Sequence, residues 1–289
     1  MPAEIIDGRK FSREIVSRLK NEFSQLREKF QVTAKLAAVQ AGQDDGTETY
    51  LKAQSRLAHD LGVEYEKVLL PEDVSLDDLN NNIARLNRDQ SIDGIILMQP
   101  LPEGFDAEEL ILKISPLKDV EGLHPLNLGK IMLSKPDVIP PTAAAVIAVL
   151  DNYVKDYKGR EVVIIGHSHI AGKPLVLLLA DRLATVRFCH IGTSMANKLK
   201  EHVREADILI VAAGVPDLVK GDWIKKGAVV IDVGINKAGD KIVGDVEFEK
   251  ARHSASYISP VPGGIGPVTT VMLMRNLLSS FKKRRNIEA

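Results

Sequence analysis

The chain has 289 residues, of which 45% are hydrophobic and 27% charged, and this is the composition of a folded globular protein long enough for two domains. Its formal net charge of -1 provides no field that would attract nucleic acid, and no apolar run approaches the roughly 20 residues of a membrane helix. Cys189, the single cysteine, excludes an internal disulfide and a cysteine-cluster metal site. We therefore expect a cytoplasmic protein without a bound metal, a nucleic acid partner or a membrane anchor.

Helix and strand patterns alternate through the first half of the chain. Residues 11–30 carry apolar side chains at spacings of three and four, which predicts an amphipathic helix. Similar patterns predict strands at residues 35–42, 63–70 and 94–98, and helices at residues 49–61, after Ser75 and at residues 106–115. Ser75 is expected to cap its helix, and Gly62 to end the helix before it. Residues 118–127 are expected to form an irregular loop that is too polar for a core.

The most informative stretch is a glycine-punctuated turn at residues 162–174, VVIIGHSHIAGKP. Its first four residues are apolar without alternation, as in a parallel strand covered on both faces, and Gly166 allows a turn that a Cβ would obstruct. A predicted helix at residues 172–183 follows, and the free N–H groups at its start would suit a pyrophosphate. The spacing G-x-S-x-x-x-G is a variant of the dinucleotide fingerprint, so a purely structural turn remains an alternative.

The alternation continues to the end of the chain. The patterns predict strands at residues 185–190, 207–213 and 228–233, and helices at residues 142–154 and 268–283. A stiff proline and glycine loop at residues 260–267 precedes the last helix. Strands that alternate with helices throughout predict an α/β fold of doubly wound parallel sheets, with a domain junction near Pro140 and Pro141.

Six segments together resemble the methylenetetrahydrofolate dehydrogenase/methenyltetrahydrofolate cyclohydrolase family. They are DGIILMQPLP (93–102), KDVEGLHPLNLG (118–129), GHSHIAGKP (166–174), DVGIN (232–236), GDV (244–246) and PVPGGIGPVT (260–269). The resemblance implies a folate domain at residues 1–140, completed by the C-terminal helix at 268–289, and a Rossmann-like NAD(P) domain at 141–267, with a cleft between them. It also implies tetrahydrofolate one-carbon derivatives as substrates, NAD or NADP as the cofactor, and a homodimer.

The family's chemistry has two parts, hydride transfer from a methylene to a methenyl folate and hydrolysis of the methenyl bridge to a formyl group. The family pattern Tyr-x-x-x-Lys-x-Lys aligns with Tyr50, and the catalytic lysine position is then Gln54. Lys52 is a poor replacement, because two residues around a helix is about 200° and directs its side chain to the opposite face. An amide neither titrates nor supplies a positive charge, so the hydrolysis step is affected most.

Two further folate positions depart from the family. The glutamine that meets the lysine is Met98 here, and the family's aspartate is Glu121. Gln99 lies one place along and points to the other face if the segment keeps strand geometry there. The resemblance implies catalytic positions at Tyr50, Gln54, Met98 and Glu121, and substrate-binding positions at Tyr50, Gln99, Glu121, Pro262, Gly263 and Gly264. Neutral drift in a pocket that still performs both reactions remains the alternative.

The positions that would bind the dinucleotide also differ from the family pattern. Where the family has a serine and a basic residue for the 2′-phosphate of NADP, this chain has Ile191 and Gly192, so NAD is favoured, although a protonated His167 could still hold a phosphate. The cofactor-binding positions are Thr142, Gly166, His167, Ser168, Gly172, Ile191, Gly192, Gly214 and Ile235. A metal site at the histidines of the turn is disfavoured, because no cysteine or carboxylate pair accompanies them.

The sequence leaves three hypotheses. The first is an NAD(P)-dependent methylenetetrahydrofolate dehydrogenase whose cyclohydrolase activity is weak or absent. The second is the ordinary bifunctional enzyme that produces formyltetrahydrofolate. The third is a noncatalytic folate or dinucleotide binder, and measurement of hydride transfer would separate it from the other two.

Overall fold

The computed structural model of the protein describes residues 2–42, 44–239 and 241–287. The chain forms two compact units, each of the α/β class. The three-strand unit comprises Glu14–Ile139 and Thr270–Ala289, and the six-strand unit comprises Met1–Arg13 and Pro140–Thr269. Parallel sheets in both units confirm the predicted fold class.

The elements of the first half include the predicted ones in the predicted order, together with a short first strand and a helix at Pro125–Met132 that were not predicted. They are β1 (Glu4–Ile5), α1 (Gly8–Phe30), β2 (Lys35–Ala41), α2 (Asp45–Leu61), β3 (Glu64–Leu70), α3 (Leu76–Arg88), β4 (Gly94–Leu97), α4 (Ala107–Ile111) and α5 (Pro125–Met132). Ser75 caps α3 by accepting the Asp78 N–H, and Gly62 ends α2 at a φ of 72°. Both termini were predicted because a cap depends on residues that are close in sequence.

The three-strand sheet has the order β3-β2-β4, and every pairing is parallel. One face forms an apolar core with α3, with Ala37, Val39, Val68, Ile95 and Leu97 from the strands and Leu79, Ile83 and Leu86 from the helix. Because successive strand side chains alternate, Gln40 and Tyr65 point to the opposite face. That face carries polar groups of the candidate site.

Residues 118–127 are the main correction to the sequence analysis, which expected a loop too polar for a core. Lys118, Asp119 and Asn127 are each buried. The Lys118 ammonium donates to the backbone oxygens of residues 86, 87 and 89 at 2.6 to 2.8 Å, and burial lowers its pKa to about 8. Asp119 accepts from the His124 N–H and the Asn127 amide, both at 2.8 Å. A polar segment can be buried when its groups all find partners, and composition does not reveal those partners.

The closing helix α11 (Ile265–Arg284) begins three residues before the predicted start. Within the three-strand unit, buried Asn276 donates its amide to the backbone oxygens of Val120 and Ile139 at 2.8 and 2.7 Å. Arg284 donates to buried Asp93 at 2.6 Å. Asn276, near the middle of α11, therefore holds the backbone beside Glu121 in place.

The six-strand unit contains the remaining elements. They are α6 (Pro141–Tyr153), β5 (Glu161–Ile165), α7 (Gly172–Ala180), β6 (Thr185–Cys189), α8 (Ile191–Met195), α9 (Leu199–Glu205), β7 (Ile208–Val211), β8 (Val229–Asp232), β9 (Asn236–Ala238), β10 (Lys241–Val243), α10 (Phe248–Ala251) and β11 (Tyr257–Ile258). Its parallel sheet has the order β1-β11-β8-β7-β5-β6, and β9 and β10 form a separate antiparallel pair.

The first strand differs from the expectation that placed residues 1–140 in one domain. Strand β1 pairs with β11 in the sheet of the six-strand unit. Two-residue strands carry no periodic pattern, so neither β1 nor β11 could be predicted. In the described part of the chain, no helix is long and apolar enough to cross a membrane.

Candidate functional site

The glycine turn between β5 and α7 is fixed by close backbone contacts. Gly166 has a φ of 117°, and a Cβ there would lie 2.1 Å from the Ala212 oxygen. A Cβ on Gly172 would lie 1.8 Å from the Gly166 oxygen. Both positions require glycine because the backbone of a neighbouring segment occupies the space of a side chain. The turn predicted at Gly166 therefore has a steric cause, and cofactor binding at Gly166 and Gly172 stays a prediction.

The start of α7 uses some of its own hydrogen-bonding groups. The Lys173 N–H donates to the backbone oxygen of Ser168 at 3.1 Å, and the Ala171 N–H donates to the side-chain Oγ of Ser168 at 3.3 Å. Pro174 has no N–H. Fewer N–H groups remain for a phosphate than the sequence analysis assumed. His167 and Ser168 are both exposed at the carboxyl end of β5, where parallel sheets bind their ligands.

The end of strand β6 adds a second polar group to this edge of the sheet. His190 caps α8, and its Nδ1 accepts the Gly192 N–H at 3.1 Å. The rings of His167 and His190 have centroids 5.9 Å apart. Ile191 is 69% exposed. The structure thus brings His167, Ile191 and Gly192 to the same edge of the sheet, at the ends of two paired strands.

Two buried carboxylates order the loops that follow β7 and β8. Asp245 accepts the N–H groups of Ala213, Gly214 and Val215 at 2.6 to 2.9 Å. Asp232 accepts the N–H groups of Asp245 and Val246 at 3.1 and 2.9 Å. Burial, with the nearby charge of Asp245, raises the pKa of Asp232 to about 7.

The sequence analysis missed both roles, although the DVGIN and GDV motifs contain the two aspartates. The signal was in the neighbouring glycines. A Cβ on Gly234 would lie 2.1 Å from the Asp245 carboxyl carbon, and one on Gly244 would lie 1.9 Å from an Asp232 oxygen. Small residues beside an acid allow the acid to reach backbone N–H groups.

The other predicted cofactor positions also lie in the six-strand unit. Gly214 and Ile235 follow β7 and β8, and the carboxyl ends of the adjacent strands β5, β7 and β8 meet at one edge of the parallel sheet. Thr142 lies in the first turn of α6. The Pro262 to Gly264 loop belongs to this unit as well, and its assignment to the folate stays a prediction.

In the three-strand unit, Gln54 is buried and engaged by a side chain that the sequence analysis did not consider. The Tyr65 hydroxyl donates to Gln54 Oε1 at 2.8 Å, and burial raises the pKa of Tyr65. Tyr50, one helical turn before Gln54, is 53% exposed. Lys52 pairs with Glu48 at 2.8 Å on the exposed surface of α2, which agrees with its exclusion as a substitute.

Met98 and Gln99 have different environments. Met98 is buried, and its N–H donates to the Val39 oxygen at 2.9 Å. Strand β4 ends at Leu97, so the strand geometry from which the orientation of the Gln99 side chain was predicted does not extend to that residue. The backbone oxygen of Gln99 instead accepts from Thr47 Oγ1 at 3.1 Å, and the side chain is exposed.

The carboxyl group of Glu121 has a raised pKa. It lies two residues after buried Asp119, in the segment that Asn276 fixes. Burial raises the pKa of Glu121 to about 8, and the charge of Asp119 adds to that shift. A carboxyl group that titrates near neutral pH is typical of ligand sites.

Two domain families together match most of the chain. Residues 6–121 match the tetrahydrofolate dehydrogenase/cyclohydrolase catalytic domain, and residues 140–285 match the NAD(P)-binding domain of the same family. The chain belongs to the tetrahydrofolate dehydrogenase/cyclohydrolase family. The resemblance inferred from six short segments is confirmed.

Relatives in this family match the chain over nearly its whole length. The bifunctional protein FolD of Nitratiruptor sp. is 40% identical over 282 residues, which is 98% of this chain and 99% of that protein. The structure of the bifunctional FolD methylenetetrahydrofolate dehydrogenase/cyclohydrolase from Campylobacter jejuni is 37% identical with a TM-score of 0.94, covering 98% of this chain and 99% of that one. The Trypanosoma brucei enzyme, solved with NADP and an inhibitor, is 36% identical with a TM-score of 0.95, covering 100% of both chains.

The steric account of the turn predicts that Gly172→Ala destabilises the protein by at least about 2 kcal/mol, because the Gly166 backbone must move, and weakens dinucleotide binding at least about tenfold. Urea unfolding and calorimetric titration with NAD measure the two effects. Gly129→Ala is the matched control, since a Cβ on this helical glycine meets nothing within 4 Å. It should be neutral or stabilise by about 0.5–1 kcal/mol. Normal stability and cofactor affinity in Gly172→Ala would contradict the steric account.

Proposed function

We propose that this protein oxidises methylenetetrahydrofolate to methenyltetrahydrofolate and passes the hydride to NAD(P)⁺. The observation that carries the proposal is the glycine turn, whose close backbone contacts suit a dinucleotide at the carboxyl end of β5. Hydride transfer needs little proton chemistry from the protein, because two nitrogens share the charge of the methenyl product. Positioning of the two ligands then supplies most of the catalysis.

On the folate side, Tyr50 and Glu121 are suited to a flat pterin. The exposed Tyr50 ring offers a stacking face, and the Glu121 carboxylate can accept the paired N–H donors of the pterin edge. Formation of reduced cofactor from methylenetetrahydrofolate tests the activity. A protein that binds both ligands without any hydride transfer would instead be the noncatalytic binder.

Within this function, the cyclohydrolase step is weak or absent. The names of the relatives support the bifunctional alternative, whereas the residues of this chain support the loss. Gln54 supplies neither a positive charge nor a titrating proton, and its carbonyl oxygen is already hydrogen-bonded to Tyr65. Met98 leaves an apolar group where a lysine would need a polar partner. General acid–base catalysis typically contributes about 10²- to 10⁴-fold, so its loss would remove most of the hydrolysis.

Restoring the family's lysine and glutamine at positions 54 and 98 should restore hydrolysis. We expect Gln54→Lys with Met98→Gln to raise methenyltetrahydrofolate hydrolysis at least about tenfold, because a lysine can transfer protons and the glutamine gives it a partner. Gln54→Lys alone should give a smaller gain. The loss of methenyl absorbance, corrected for the spontaneous reaction, measures the rate. A double variant that hydrolyses no faster than the unmodified protein would contradict this assignment.

NAD is the favoured cofactor of this proposal. No lysine or arginine occurs between Ile191 and Asn197, so the segment after β6 has no basic partner for a 2′-phosphate. The Trypanosoma brucei relative was solved with NADP, which keeps NADP as the alternative, and His167 is the group that could hold its phosphate.

The cofactor preference can be tested and reversed. We expect kcat/KM for NAD to equal or exceed that for NADP, and Ile191→Ser with Gly192→Arg to shift the ratio toward NADP by about tenfold or more. Thr185→Arg, which adds the same charge at the start of β6, should leave the ratio unchanged. A kcat/KM for NADP more than about tenfold above that for NAD in the unmodified protein would refute the NAD assignment.

The raised pKa of Glu121 predicts a pH dependence. A carboxyl with a pKa near 8 holds its proton below that pH and then offers one acceptor fewer to the pterin. We therefore expect kcat/KM for the folate to rise with pH and level off above about 8, since this constant reports the free enzyme. Glu121→Gln should lower kcat/KM and abolish its rise with pH. Glu103→Gln, at an exposed position, should keep that rise. Retention of the rise in Glu121→Gln would assign it to another group.

A further inference from the structure

The Gln54 side chain has a defined orientation. An amide presents a carbonyl oxygen that accepts and an NH₂ group that donates, and the two ends are chemically opposite. Gln54 is 8% exposed, and its Oε1 accepts the Tyr65 hydroxyl at 2.8 Å. The end of the amide that remains for a ligand is therefore the donor.

Tyr65 keeps its proton for this bond. Burial raises the pKa of the Tyr65 hydroxyl, so it remains a neutral donor throughout the physiological range. Tyr65 belongs to β3 and Gln54 to α2, two elements that pack against each other in the same unit. A donor fixed in this way prevents the amide from presenting its oxygen to the ligand.

We propose that Tyr65 is a positioning residue that turns the NH₂ donor of Gln54 toward the one-carbon bridge of the folate, so that Gln54 discriminates between the neutral substrate and the cationic product. This inference rests on the proposed dehydrogenase function. Tyr65 thereby orients the side chain that stands in place of the family's lysine.

The discrimination follows from the electronic structure of the bridge. In the methylene form both bridge nitrogens keep lone pairs, which can accept a hydrogen bond from an amide. In the methenyl form the nitrogens share their lone pairs with the cationic carbon and accept poorly. The partial positive charge of an N–H also repels a cation. Gln54 should therefore bind the substrate in preference to the product and promote product release.

Three variants separate this role from simple packing. Gln54→Glu keeps the length of the side chain and an oxygen for Tyr65, but replaces the donor by an anionic acceptor. Tyr65→Phe removes the hydroxyl and frees the amide to present its oxygen. Tyr157→Phe is the matched control, because it removes a hydroxyl that donates to Asp151 at 2.9 Å in the six-strand unit.

The readout is the ratio of the inhibition constant of methenyltetrahydrofolate to the KM of methylenetetrahydrofolate. One hydrogen bond typically changes affinity by about two- to tenfold. We expect the ratio to fall about threefold or more in Tyr65→Phe and further in Gln54→Glu, and to stay constant in Tyr157→Phe. An unchanged ratio in Gln54→Glu, or an equal rise of both constants in Tyr65→Phe, would overturn the proposal.

If the dehydrogenase assignment is wrong, the unmodified protein will form no reduced cofactor from methylenetetrahydrofolate. The inference is then decided by calorimetric titration with tetrahydrofolate, whose bridge nitrogens keep their lone pairs, and with methenyltetrahydrofolate. Stronger methenyl binding by Gln54→Glu and Tyr65→Phe, with weaker or equal tetrahydrofolate binding, supports the proposal. Equal changes for both ligands overturn it.

Discussion

A buried amide, ammonium or carboxylate is stable only where its hydrogen bonds are satisfied, and both candidate ligand sites depend on this constraint. Asp245 holds the backbone of residues 213–215 by three N–H groups, and Asp232 in turn holds the backbone around Asp245. In the other unit, Asn276 holds the segment that carries Glu121, and Lys118 joins that segment to the end of α3. The predicted ligand-binding positions at Gly214 and Glu121 thus lie in backbone that buried polar groups hold in place.

The proposed alignment with the family places Gln54 at the position of a lysine and Met98 at the position of its partner. Glu121, which the same alignment places at the folate, has a raised pKa. Near neutral pH these three positions carry little formal charge. We propose that such a site suits a reaction whose product bears its own delocalised cation and that it lacks the group that a following hydrolysis would use. The two halves of the family's chemistry depend on different residues, so one can be lost while the other persists.

Features that depend on neighbours in sequence were predictable, and features that depend on distant partners were not. Ser75 and Gly62 end helices through contacts within a few residues, and the turn from Gly166 to Gly172 is encoded in a single stretch. The partner of Gln54 lies eleven residues away on another element, and the backbone oxygens that accept from Lys118 lie about thirty residues earlier. Nothing in a local pattern identifies such pairs. The same reason explains why residues 118–127 were expected to be exposed.

We propose that this folate site transfers a hydride but has lost the proton chemistry of hydrolysis. The most direct test follows reduced cofactor, methenyltetrahydrofolate and formyltetrahydrofolate together after unmodified protein is mixed with methylenetetrahydrofolate and NAD. We expect methenyltetrahydrofolate to match the reduced cofactor almost mole for mole, with formyltetrahydrofolate appearing only at the spontaneous rate of the same buffer. Formyltetrahydrofolate that appears as fast as the reduced cofactor, and well above the spontaneous rate, would contradict it and identify an ordinary bifunctional enzyme.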